Sequence, residues 1–137
     1  MGISRHYLKE HKFMLTKISE ELFDQNLMQH VIALNSETEG VVQLRELADL
    51  RETKSLDRLT VRGTIAASQT EANRPESLLA ILVPDSTLLF GMARAYQTFS
   101  KDKRQAVQIF KDPLQALTWL SQDAQEMEVL SDFVNNA

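Results

Sequence analysis

Asp85, Ser86 and Thr87 are the residues of this chain placed best to meet a ligand, because they follow Pro84 at the end of the apolar run Leu78 to Val83. In open α/β sheets, ligands gather just beyond the carboxyl ends of the strands. The same three residues also supply what a helix cap needs. The helix they would open carries Leu88, Leu89, Met92, Ala95, Tyr96 and Phe99 at helical spacing. That apolar and aromatic set can pack on a sheet or line a pocket for an apolar ligand. Asp85, Ser86, Leu89, Met92 and Tyr96 are therefore the candidate ligand-binding residues. Ser55 and Thr60 are candidates of another kind, for phosphorylation. A phosphate at the start of a helix would meet free N–H groups and the positive end of the dipole. As plain turn and cap residues they need no modification.

Other chemistries find no support in the residue types. There is no cysteine, which excludes disulfides, thiolate metal sites and cysteine nucleophiles. His6, His11 and His30 match no metal-ligand spacing, two of them falling in or beside an N-terminal hairpin and one on a helix. No Gly-x-Ser-x-Gly turn and no glycine-rich phosphate loop occurs, so neither an activated serine nor a nucleotide cofactor is expected. The net charge of −4 argues against nucleic-acid binding through a broad basic surface. Arg94 and the turn Lys101 to Arg104 could meet an acidic partner, but alternating charges on a turn usually mean a solvated surface. The first residues hold no apolar signal core and no run is long enough to span a bilayer, so a cytoplasmic location is expected.

The elements that must position these residues are marked by their boundaries. Residues 3 to 18 read as a hairpin broken by Lys9-Glu10-His11-Lys12. Asp24 is the expected cap of a helix with Leu27, Met28, Val31, Ile32 and Leu34 on its buried face. Residues 41 to 50 read as a strand with Val42, Leu44, Ala48 and Leu50 on one face, interrupted by Glu46. A helix follows from about Thr60, and residues 71 to 77 form a loop. Leu78 to Val83 is the strand buried on both faces. Ala106 to Phe110 is the last strand, and Asp112-Pro113 opens another helix as cap and first-turn proline. Gly91, inside a helix, is expected to permit a close approach by the sheet or by a ligand. The order is β-β-α-β-α-β-α-β-α: one domain over residues 1 to 137, with a mixed, mostly parallel sheet, an N-terminal hairpin and about four helices.

Three segments carry a family resemblance: Phe90-Gly91-Met92-Ala93-Arg94-Ala95-Tyr96, then Val107-Gln108-Ile109-Phe110-Lys111-Asp112, then Ala116-Leu117-Thr118-Trp119-Leu120. With them the chain resembles the SpoIIAA-like superfamily, which includes STAS domains and the CRAL-TRIO lipid carriers, and within it an uncharacterised bacterial STAS-like branch. The match is specific over residues 78 to 120 and topological over residues 1 to 75. It implies a SpoIIAA-like α/β fold and no particular reaction. The anti-sigma-factor antagonists of the superfamily switch by phosphorylation of a serine in an Asp-Ser-Ser-Gly-like turn. This chain has Leu50-Arg51-Glu52-Thr53-Lys54-Ser55-Leu56-Asp57 there, leaving Thr53, Ser55 or Thr60 as substitutes.

The expectation is thus a non-catalytic domain acting through protein contacts, as a homodimer with helix 86 to 99 near the interface. The alternative is a carrier or sensor of an apolar or amphipathic ligand. Its mark would be an enclosed cavity of about a few hundred cubic ångström.

Overall fold

The computed structural model describes residues 2–137. The hairpin forms as expected: β1 (Ile3–Leu8) pairs antiparallel with β2 (Phe13–Glu21). A single 3-10 turn at Lys9–His11 and a left-handed Lys12 turn the chain between them. The chain then runs through α1 (Asp24–Glu37), β3 (Arg45–Ser55), α2 (Val61–Thr70), β4 (Arg74–Leu82), α3 (Thr87–Phe99), β5 (Arg104–Phe110), α4 (Pro113–Leu120) and α5 (Ala124–Asn135).

The sheet order is β1-β2-β3-β4-β5, and β2 to β5 are mutually parallel. Each crossover steps one strand in the same direction, so crossovers of one hand leave α1, α2 and α3 together on one face. There Leu27, Val31, Ala67, Leu89 and Ala93 pack on Ile18, Leu50, Leu79, Ile81 and Val107. The chain after β5 crosses to the other face, where Ala116, Leu117, Leu120 and Leu130 of α4 and α5 cover Phe13, Leu15, Leu47, Ala80 and Leu82. Phe133 adds an edge-on contact with Phe13 at 6.0 Å. β4 lies between two helix layers, which is why its run is apolar at every position.

Several boundaries differ from the sequence reading. β3 spans 45 to 55 rather than 41 to 50, because the parallel ladder with β2 runs on to Ser55. β4 begins at Arg74, inside the expected loop, and a register irregularity between Arg74 and Leu78 absorbs the Pro75 segment. Beyond these boundaries, the amphipathic C-terminal residues add a fifth helix, α5, capped by Asp123 accepting from the Glu126 amide. Asp24 does not cap α1. Phe23 is the cap residue, and its amide donates to Asn26 Oδ1 at 2.9 Å. Gly91 is exposed with open space where a Cβ would stand, so no close approach explains it.

Candidate functional site

Three of the five expected ligand residues meet. Leu89, Met92 and Tyr96, one helical stripe of α3, open onto a cavity of about 60 Å³ between that helix and the sheet. Thr64 on α2, His30 on α1 and Glu46 on β3 close it from the other sides. Asp85 and Ser86 lie elsewhere, at the surface. The Asp85 carboxylate stands 3.3 Å from Lys111 Nζ, and Ser86 Oγ accepts from the Leu89 amide as the α3 cap.

The polar end of this cavity is a buried ionic network. Glu46 occupies an inward position of β3, sharing its face with Ala48 and Leu50. Its Oε1 accepts from Arg104 Nη2 at 2.8 Å and its Oε2 from Thr16 Oγ1 at 2.7 Å. Arg104 Nε donates to Glu71 Oε1 at 2.6 Å, and the Tyr96 hydroxyl donates to Glu71 Oε2. Arg74, also buried, donates to Thr38 Oγ1 at 2.6 Å. Glu46 and Glu71 thus share the interior with two guanidinium groups, so the formal charges balance.

His30 joins the network in one tautomer. Its Nδ1 lies 3.3 Å from Arg5 Nη1, and a guanidinium can only donate. The ring proton therefore sits on Nε2, facing Glu46 Oε2 at 3.5 Å. Burial by itself would raise the Glu46 carboxyl. The bond from His30 and the Arg104 charge outweigh it and hold the group at about 2. Burial, then the neighbouring Glu71 charge, pushes the Tyr96 phenol well above its ordinary value. Among the described residues, no buried side-chain polar atom lacks a partner.

None of Glu46, Glu71, Arg104 and His30 was singled out as functional by sequence. Arg104 was expected on a solvated turn, yet it opens β5 and is buried, because the carboxylates facing it are buried too. Glu46 was the visible signal: a charged residue at an inward position needs a partner.

Ser55 and Thr60 are not brought together at a phosphate site. Ser55 is the last residue of β3, not a helix-start residue, and its Oγ accepts from the Asp57 amide at 3.3 Å. Thr60 does cap α2, with its Oγ1 accepting from the Gly63 amide at 2.9 Å. The same hydroxyl donates to Asp24 Oδ2 at 2.7 Å, and the Thr60 amide donates to Asp24 Oδ1 at 2.8 Å. A carboxylate therefore already holds the anion position at the start of α2. Gly63 is needed there, since a Cβ would fall 2.2 Å from the Asp24 carboxyl carbon. A phosphate on Thr60 would displace Asp24 and set two anions side by side.

The fold is similar to that of an uncharacterised protein of the DUF3478 family with a SpoIIAA-like fold, from Shewanella loihica PV-4. The two share 19% identity over 87% of this chain and 92% of that one, with a TM-score of 0.57. No family model and no curated protein matches the chain. The five-stranded mixed sheet with its helices on both faces is a SpoIIAA-like α/β fold. Among the described residues, no helix is long and apolar enough to cross a membrane.

Proposed function

We propose that the protein is a non-catalytic SpoIIAA-like domain that acts through protein contacts on the outer flanks of α3, where it pairs with a second copy of itself. A cytoplasmic setting suits a chain without cysteine. The observation that carries this reading is the exposure of three large apolar side chains on that one helix: Leu88 at 59%, Phe90 at 38% and Phe99 at 40%.

The apolar arc of α3 is wider than the sheet can cover. Leu89 and Ala93 sit at its centre and are buried. At 100° per residue, Leu88 and Phe99 fall together on one flank and Phe90 on the other. Leu88 and Phe99 thus make one exposed apolar flank, and exposed apolar side chains that share a side mark contact surfaces more often than scattered ones do. On the neighbouring helix α2, Val61 in the first turn is exposed as well.

Native mass spectrometry of the wild type and of Leu88→Glu/Phe99→Glu tests this. The reading expects a wild-type dimer and a monomeric double variant that stays folded, with the wild-type far-UV circular dichroism spectrum. A wild-type monomer at micromolar concentration, or a dimer that survives the double substitution, would overturn it.

The alternative, a carrier of an apolar or amphipathic ligand, draws on the cavity lined by Leu89, Met92 and Tyr96. A volume of about 60 Å³ suits one or two waters rather than a lipid chain, so carriage would require α3 to move outward. An adduct that leaves on denaturation, in the same spectra, would favour this alternative.

A further inference from the structure

Arg45 and Glu46 are neighbours in β3 and so point to opposite faces of the sheet. On the α4 and α5 side, Arg45 builds a second ion pair. Its Nη1 and Nη2 donate to the two oxygens of Glu126 at 2.5 and 2.7 Å, and they also reach the carbonyls of Leu120 at 2.8 Å and His11 at 2.7 Å. The bonds from Arg45 hold the Glu126 carboxyl at about 2 against the effect of burial, with His11 adding to them. A carboxylate so held can only accept, so His11, whose Nδ1 lies 2.9 Å from Glu126 Oε2, is the donor. In the neutral ring the other nitrogen, Nε2, then carries a lone pair. Among the described residues it has no protein partner.

This histidine stands in the wall of a cleft of about 760 Å³ at the amino ends of β3, β4 and β5. That is the size of a small-molecule site. The charged side chains of the wall outside the Arg45–Glu126 pair are Glu10, Glu76, Asp123 and Lys12, an excess of carboxylates. Gln105 and Gln125 add amide carbonyls, and Trp119 adds an indole.

We propose that this cleft binds a guanidinium or ammonium group, carried either by a small diffusible amine or by an arginine or lysine side chain of a peptide. Lys12 and the NH2 groups of the glutamines put donors in this wall too, but its carboxylates outnumber its cations, and the amide carbonyls and the His11 lone pair add acceptors. A group that only donates satisfies such a wall, and the indole can stabilise its charge further. The Glu126 carboxylate fixes which His11 nitrogen is left to accept, and Arg45 fixes Glu126. His11 is therefore a binding residue, and Glu126 and Arg45 position it. The site is independent of the α3 contact surface.

The test is a titration followed by amide, indole and glutamine side-chain NMR signals, with agmatine in one arm and the capped peptide acetyl-Gly-Arg-Gly-amide in the other. The expected result is saturable shifts centred on the Trp119 indole and the Gln105 and Gln125 side chains. In Glu10→Gln/Glu76→Gln, which changes only exposed side chains, affinity should fall by about tenfold. Glu52→Gln, an exposed carboxylate outside the cleft, should leave it unchanged. Tighter binding of agmatine assigns the site to a diffusible amine, and tighter binding of the peptide assigns it to a basic peptide. Non-saturating shifts spread over the acidic surface, or an equal loss in Glu52→Gln, would overturn the proposal.

Discussion

Two carboxylate–arginine pairs, each with a histidine against the carboxylate, stand on opposite faces of one strand. Behind α3, Glu46 bonds Arg104 and faces His30. Under α5, Glu126 bonds Arg45 and faces His11. Both carboxylates are held at about 2. The difference lies in what the histidine can reach. His30 is 7% exposed and spans two protein groups, while the side chain of His11 is 29% exposed and borders a cleft. The first arrangement closes on itself and ties α1, α3, β3 and β5 into one register. The second leaves an acceptor facing the cleft. Equal ionic chemistry therefore serves structure on one face and recognition on the other, and access to solvent is what separates the two.

The largest effect should come from breaking the sealed pair. Glu46→Gln leaves the buried Arg104 with Glu71 as its remaining carboxylate partner, and a loss of about 3–5 kcal/mol is expected in urea unfolding. Glu126→Gln should cost less, about 1–3 kcal/mol, because Arg45 keeps its two carbonyl acceptors. Hydrogen exchange in that variant should rise in α5 and stay unchanged in α3. Equal costs for the two substitutions would erase the distinction drawn between the faces.

Acid should act on both pairs with a defined sign. The folded-state values of about 2 lie below the ordinary value of 4.5, so the stabilisation is complete above 4.5 and is lost as pH falls toward 2. Stability measured by denaturant should decline through that window in the wild type. It should decline less steeply in Glu126→Gln, which has one such proton fewer to bind. The smallest effect is expected for His11→Gln, whose stability should stay within about 0.5 kcal/mol of the wild type, as for a partly exposed side chain.

The residues explain why some of this was legible in the sequence and some was not. Leu78 to Phe110 announces its strands and helix through local signals: an unbroken apolar run, a Ser86 cap and a helical apolar stripe. Leu89, Met92 and Tyr96 could be grouped because one helix period brings them together. The ionic networks join residues far apart in the chain. Arg104 meets a carboxylate 58 positions away and Arg45 meets one 81 positions away, and no periodicity records such pairings. Glu46 showed only as an interruption in the alternation of β3, and Arg104 looked like the last member of a charged turn. Asp24 has the residue type and place of a cap for its own helix, whereas it serves Thr60 at the start of the next one.

The contrast between the two histidines is tested most directly by diethyl pyrocarbonate labelling of the native protein, read by peptide mass spectrometry. His11 should be modified while the protein stays folded, and His30 only after denaturant unfolds it. Modification of His30 at the rate of His11 in the native state would contradict the account, because the network behind α3 would then be as open as the cleft.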